Sequence, residues 1–185
     1  AVERPAAPRA ALAAAVAAYK KALRMNPHDA TAQTELTRCT RLLSLDQRLP
    51  KVLDGDPAEA AELLDLAIFC QDYKQDHRAA VTLFARAFAA VPSAADDLAA
   101  RHRYRAAAAA VIAASTDTHE LLGQALTWLR AELAAQVAHL NNQPQQAIAV
   151  YDEMRAWQRD ARLASVREDK PLAALSAGER GAWQK

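Results

Sequence analysis

The sequence has few of the residues that interrupt helices or cross-link small folds. Only four glycines and two cysteines occur among its 185 residues, and aromatic residues make up 5% of it. Scarce glycine disfavours a fold of many short strands, because tight turns between strands depend on it. Cys39 and Cys70 form no CxxC motif and no zinc-type spacing with histidine, which argues against a disulfide or a zinc site. We expect two buried thiols in reducing surroundings.

The sequence also lacks an excess of one charge and a long apolar run. Its 23 basic and 22 acidic side chains leave a net charge of +1, so a general affinity for nucleic acid or anionic membranes is not expected. No apolar run approaches the roughly 20 residues that cross a bilayer, and the first residues do not have the form of a secretory signal. We expect no membrane insertion by this segment and a cytoplasmic location, unless the parent protein carries an anchor elsewhere.

What the sequence has instead is alanine and a helical spacing of apolar residues. Hydrophobic residues make up 52% and charged residues 24%, and alanine is the best helix former. Apolar residues recur three and four positions apart along most of the chain, which indicates amphipathic helices. No long polar run separates two cores. We therefore predict an all-α fold over residues 1–185, as a single domain of antiparallel helix pairs stacked irregularly.

The clearest pair of helices lies in residues 57–92. The first helix carries Leu63, Leu66, Ala67 and Cys70 on one face. After a polar turn at Asp76, the second helix carries Ala79, Ala80, Leu83, Phe84, Ala87 and Phe88. A unit of this size cannot bury its apolar face alone and needs similar units on both sides.

The rest of the chain is divided around that pair. We predict a frayed lead at 1–8, a partial repeat with linking helices at 9–56, the best-formed repeat at 57–92, a degenerate repeat at 93–140, and capping helices at 141–185. The individual helices are predicted at 9–25, 27–45, 94–114, 120–140 and from 144 to about 159, with a short helical turn near 46–55. On the long helix at 120–140, we predict an inward stripe of Leu122, Ala125, Leu126, Leu129, Leu133, Val137 and Leu140. On the next helix, the apolar set is Ala147, Ile148, Tyr151, Met154 and Trp157.

One spacing occurs twice. Ala15, Tyr19, Ala22 and Pro27 are separated as are Ala80, Phe84, Ala87 and Pro92. This pattern resembles the second helix of a tetratricopeptide repeat, a 34-residue unit of two helices. In residues 93–140 the resemblance is weaker, because Glu132 stands where a small residue is expected.

Three phrases extend the resemblance. LDQRLP at 45–50, DDLAARHRYRAA at 96–107 and QALTWLRAEL at 124–133 resemble the C-terminal tetratricopeptide region of bacterial eukaryotic-like serine/threonine protein kinases. The resemblance implies a regulatory or partner-binding role.

Catalytic motifs are not found. His102-Arg103-Tyr104 resembles the HRD of a kinase catalytic loop, but tyrosine replaces the aspartate, and no glycine-rich loop or DFG accompanies it. No P-loop, nucleophile elbow or HExxH occurs either. We therefore predict a chain that is not an enzyme and that has no cofactor or metal.

The predicted function is binding of a peptide or protein in a groove lined by first helices of the repeats. The basic cluster from Arg101 to Arg105 is either a solvated face or part of that groove, where guanidinium groups hold carboxylate or phosphate. The groove candidates are His102, Arg105, Ile112, Leu64, Ile68 and Gln71. The alternative is a structural unit that associates with a second copy through the exposed ends of the stack.

Overall fold

The all-α prediction is confirmed by the computed structural model, which describes residues 8–114, 118–168 and 177–183. Every regular element within these ranges is helical. The predicted frayed lead lies almost entirely outside them. The α-helices are α1 Pro8–Met25, α2 Ala30–Leu53, α3 Ala60–Phe69, α4 His77–Ala90, α5 His102–Ala113, α6 Thr118–Asn142, α7 Ala147–Arg159, α8 Ala164–Arg167 and α9 Ala177–Trp183.

Shorter turns join several of these helices. A π-helical segment, Cys70–Lys74, continues α3, and three 3-10 turns lie at Pro92–Ala95, Pro144–Gln146 and Ala161–Leu163. Gln75 then adopts a left-handed backbone with φ of 54°, and the Asp76 carboxylate accepts a 3.0 Å hydrogen bond from the Ala79 amide. That bond caps α4, so the polar turn of the best-formed pair lies where the sequence predicts it.

The centre of the core is α5, which is buried on nearly every side. Five consecutive alanines at 106–110 are all fully buried, whereas an amphipathic surface helix would expose some of them. α4, α6 and the 3-10 turn Ala161–Leu163 all pack against α5. Methyl side chains allow neighbouring helices to approach closely. Phe84 and Leu66 pack in the same core with no exposed surface.

The second helix is longer than predicted. The sequence indicates an end near residue 45 followed by a short turn, but α2 runs without interruption to Leu53. Pro50 falls in the last turn of α2, where it has no N–H to donate to the Asp46 carbonyl one turn earlier. Continuity is favoured because Leu42, Leu49 and Val52 are buried in one core at helical spacing. Asp46, the first residue of the predicted short turn, is buried within α2 beside Lys74.

The helix predicted at 94–114 begins eight residues later, at His102. The Asp96 amide donates to the Ser93 carbonyl at 3.0 Å and closes a 3-10 turn where the sequence predicts the first turn of the helix. Arg101 adopts a left-handed backbone with φ of 57°. That conformation is costly for a residue with a β-carbon and separates the turn from α5.

The inward face of α6 also differs from the prediction. Leu122 and Ala125 are buried as expected, but farther along the helix Glu132 and Gln136 are buried. The side chains of Leu133 and Val137 are 47% and 51% exposed. On α7, Ile148 and Tyr151 are likewise exposed. Apolar spacing does not determine which side of α6 faces α5. The stripe of Leu133 and Val137 lies only one residue from the stripe of Glu132 and Gln136 on the helix surface.

The two cysteines agree with the prediction, since Cys39 and Cys70 are free and buried. Among the residues described, no helix combines the length and hydropathy that a membrane span requires. Over the same ranges, no group of three or more His, Cys, Asp or Glu side chains is placed to hold a metal ion.

Candidate functional site

Side-chain contacts join α2, the π-helical segment that continues α3, and α5. Gln71 Nε2 donates to the Arg105 carbonyl at 3.0 Å across 34 positions. Arg105 binds Asp72 across 33 positions, and Arg38 lies 3.5 Å from the Tyr73 hydroxyl across 35 positions. Farther along α2 and α3 the separation falls to 24 positions for Arg41–Asp65 and 14 for Arg48–Glu62, because these two helices run antiparallel.

Gln71 and Arg105 are the two groove candidates in direct contact. Arg105 Nη2 donates to both oxygens of the Asp72 carboxylate, at 2.7 Å each. Gln71 is buried, and its Oε1 has no hydrogen-bond partner. Gln71 therefore links the end of α3 to α5. Arg105 remains partly accessible, and the Asp72 carboxylate already balances its charge.

His102 lies one turn before Arg105 at the start of α5. Its ring is tilted against Phe84 with 6.5 Å between centroids, and its Nδ1 is buried without a hydrogen-bond partner. Burial lowers the pKa of His102, although the Asp97 and Asp65 carboxylates oppose that effect. The ring is therefore neutral at pH 7 and contributes hydrogen bonding rather than charge.

The three apolar candidates do not all lie together. Leu64 and Ile68 are half-buried on α3 and pack against the core. Ile112 is also half-buried, but it lies seven residues after Arg105, about 10 Å farther along α5. The name "α3–α5 face" is used below for the surface formed by Leu64, Ile68, Gln71, His102 and Arg105.

An open cleft adjoins the α3–α5 face. It lies between α2 and α3 and has a volume of about 520 Å³. Its lining residues are Leu36, Thr37, Thr40, Arg41, Ser44, Leu45 and Asp65. Arg41 crosses the cleft and binds both oxygens of Asp65. Asp65 follows Leu64 directly in the chain, so α3 contributes to both the cleft and the α3–α5 face.

The charges along this surface are paired. Arg41 binds Asp65, and Arg105 binds Asp72. The Arg41 side chain is 65% exposed, so its pair contributes about 0–1 kcal/mol to stability. Such pairs can be exchanged for a partner's charges at low cost. The surface thus offers apolar contact together with cations and anions that are easily rearranged.

Sequence reasoning missed a polar cluster on the other side of α5. The Tyr104 ring stacks on Trp157 with 4.7 Å between centroids, and its hydroxyl donates to Asp160 at 2.6 Å. Arg101 and Arg162 both lie over the Tyr104 ring. The same cluster links α5 to α7 and to the turn after it, and none of its side chains opens onto the cleft between α2 and α3.

Glu132 is the deepest member of this region. It is fully buried, and neither carboxyl oxygen has a hydrogen-bond partner. The nearest cation is Arg103, whose Nη1 lies 4.0 Å from Glu132 Oε2. The sequence carried one signal of this, since Glu132 occupies a position where a tetratricopeptide repeat has a small residue.

Comparison with known proteins gives no neighbour. No family model, no curated protein and no solved structure matches this chain.

Proposed function

We propose that this chain is a non-catalytic binding module that holds a peptide or a protein on the surface formed by α2, α3 and α5. The observation that carries the proposal is the pair of contacts that joins the segment after α3 to α5 across 34 and 33 positions, Gln71–Arg105 and Arg105–Asp72. Tetratricopeptide repeats have this period. Stacked units of this kind use an extended inner surface for binding.

The chemistry of the surface favours an amphipathic segment as the partner. Leu64 and Ile68 provide apolar area beside the cleft, and the Arg41–Asp65 and Arg105–Asp72 pairs supply both signs of charge. An amphipathic helix presents an apolar stripe with charges at its edges and fits such a groove. A strongly acidic partner is favoured less, because each of these arginines already has a carboxylate.

The wider setting is proposed from the resemblance alone. The phrases at 45–50, 96–107 and 124–133 are similar to the tetratricopeptide region of bacterial serine/threonine protein kinases. We therefore propose a regulatory part of a bacterial kinase-like protein. The support that the fold adds is the irregular stack of helix pairs, with residues 57–92 as its most regular unit.

Substitution of exposed arginines tests the proposal. Arg41→Ala together with Arg105→Ala removes both charge pairs at small cost to folding. Proteins captured from a bacterial lysate by the wild-type chain are identified and titrated against this variant, and we expect at least a tenfold loss of affinity. Arg155→Ala on α7 is the matched control and leaves capture unchanged. Equal capture by all three chains removes this surface from the proposal.

A second candidate function is self-association through α6, and a specific observation favours it. Ten residues from Glu120 to Asn142, counting both ends, are exposed. Apart from Glu120, Arg130 is the one charged residue among these ten. Leu133 and Val137 lie one turn apart on this face. Small residues at Gly123 and Ala134 would allow another helix to approach it.

Light scattering over a dilution series tests this candidate. We expect the mass of the wild-type chain to fall on dilution, and Leu133→Glu to be monomeric at every concentration, because a charge in an apolar interface is costly. Ala18→Glu, on the exposed side of α1, is the control and behaves as the wild type. A wild-type chain that is monomeric at the highest concentration contradicts self-association.

A further inference from the structure

The groups around Glu132 give it one cation at the limit of an ion pair, Arg103, and no hydrogen bond from the described part of the chain. Arg103 and Arg101 approach it from the start of α5, Glu153 from α7, and Asp96 from the turn after α4. Arg103 binds Asp96, and Arg101 binds Glu153. Each arginine therefore forms its close ion pair with a carboxylate other than Glu132. Among the described residues, Glu132 has no donor within hydrogen-bond distance.

A buried carboxylate without hydrogen bonds is far less favourable as an anion than as a neutral acid. The gap of 4.0 Å to Arg103 Nη1 is too long for a hydrogen bond. The same Nη1 atom has no other partner. Gln136, one turn along α6, is also buried, so the site is polar but enclosed between helices.

We propose that Glu132 is a pH-sensitive contact: with its proton it packs as a neutral side chain and holds α6 against α5, and loss of the proton loosens α6 from α5. The element that responds is identified by the packing. α6 packs extensively on α5 but only sparsely on α7, and α7 is held on α5 by its own contacts, the Tyr104–Trp157 stack and the Arg101–Glu153 ion pair. The contact between α5 and α6 therefore determines whether α6 stays packed.

The direction of the pH dependence follows from the change on folding. Burial raises the pKa of Glu132 to about 7, Arg103 opposes the rise, and Glu153 adds to it. In the unfolded chain the value is 4.5. Because the folded-state pKa is the higher one, the stabilising contribution is complete below about pH 4.5 and is lost as the pH rises through about 7.

Glu132→Gln isolates this effect, because glutamine has the shape of the protonated acid and cannot ionise. Urea unfolding of the full chain is measured from about pH 5 to about pH 8. We expect the unfolding equilibrium constant of the wild type to rise relative to the variant by on the order of tenfold to a hundredfold over this range. Parallel pH profiles overturn the proposal.

The comparison between chains is necessary because other groups titrate nearby. Burial lowers the pKa of His77 and of His102. Their contributions are therefore complete above the unfolded histidine value and are lost as the pH falls. Both are shared by the wild type and Glu132→Gln and cancel in the difference. Glu120→Gln, an exposed change on the same helix, is the control and keeps the wild-type profile.

Two further measurements do not depend on the variant being stable. Infrared spectra of the wild-type chain should show a protonated carboxylic acid near pH 6 that disappears with a midpoint near 7; its absence near pH 6 overturns the proposal. Hydrogen exchange, corrected for intrinsic rates, should show protection lost above that midpoint in α6 but kept in α3 and α4. A loss spread evenly over all helices contradicts local opening.

Discussion

At the scale of single residues, the Tyr104 side chain combines a ring stack, two cation contacts and a hydrogen bond. Its ring stacks on Trp157 and lies under two guanidinium groups, while its hydroxyl reaches Asp160. Burial alone would raise the pKa of Asp160, but hydrogen bonds from Arg162 and Tyr104 outweigh it and lower the pKa to about 2. Asp160 therefore stays ionised at neutral pH and anchors the turn after α7.

Tyr104→Phe should remove the hydroxyl bond and destabilise the fold by about 1.5–3 kcal/mol, the range for hydrogen bonds to a charged group. The contribution of Asp160 is complete above about pH 4 and is lost as the pH falls through 2, so the variant should lose stability less steeply in acid than the wild type. Urea unfolding at several pH values measures both effects.

Tyr151→Phe is the control for this prediction, because Tyr151 is 58% exposed and its hydroxyl makes only a 3.3 Å contact with Arg155. We expect a change below about 0.5 kcal/mol. An equal loss of unfolding free energy in both variants would mean that the Tyr104 hydroxyl contributes no more to stability than the exposed hydroxyl of Tyr151.

Residue burial could be predicted from the sequence where one stripe is clearly the best. Phe84, Ala80 and Cys70 are buried as predicted. Leu133 is not, and the reason is geometric. The stripe through Leu129 continues either to Glu132 or to Leu133, and the choice depends on the shapes of α5 and α7, which helical spacing does not reveal. The cluster of Tyr104 and Asp160 was missed for the same reason, since 56 positions separate its members.

At the scale of helices, α5 sets the distance between its neighbours. Its alanines at 106–110 have no exposed surface, and interiors are packed too densely to admit larger side chains without strain. The helix keeps this composition because each methyl group faces another element. The low amphipathicity of such a helix is also why sequence spacing alone gives it no preferred face.

Ala108→Leu should therefore destabilise the chain by about 1–3 kcal/mol, because overpacking forces the backbones of adjacent helices apart. Ala156→Leu on the exposed side of α7 makes the same change without a neighbour and should alter stability by less than about 0.5 kcal/mol. Thermal or urea unfolding distinguishes them. Equal effects would contradict the close packing of α5.

The lengths of the helices were less predictable than their existence. The turn between α3 and α4 depends on Gln75, with its φ of 54°, and on the capping carboxylate of Asp76. One 34-residue period earlier, these positions are Arg41 and Leu42, which favour a helix. α2 therefore continues through these positions without a turn.

At the scale of the whole molecule, burial is distributed unevenly. None of the residues of α1 from Arg9 to Met25 is fully buried, whereas α4 and α5 contain most of the side chains with no exposed surface. Stability against local opening follows the density of buried contacts. The outer helix should open at a small fraction of the free energy that the central helices require.

Native-state hydrogen exchange should give the highest protection to amides of α4 and α5 and the lowest to those of α1. Protection of α1 should also fall first when low concentrations of urea are added, since it opens independently of the core. Uniform protection along the chain would contradict this and would indicate one cooperative unit.

The two thiols allow this gradient of stability to be measured by chemical labelling of the natural chain. Burial raises the pKa of Cys70 to about 12, so an alkylating reagent finds almost no thiolate there while the centre remains closed. Cys39 is on α2, beneath the outer helix. Labelling of Cys39 therefore reports when the hairpin of α1 and α2 opens, and labelling of Cys70 reports when the interior opens. The order of the two events gives the order of unfolding without any introduced probe.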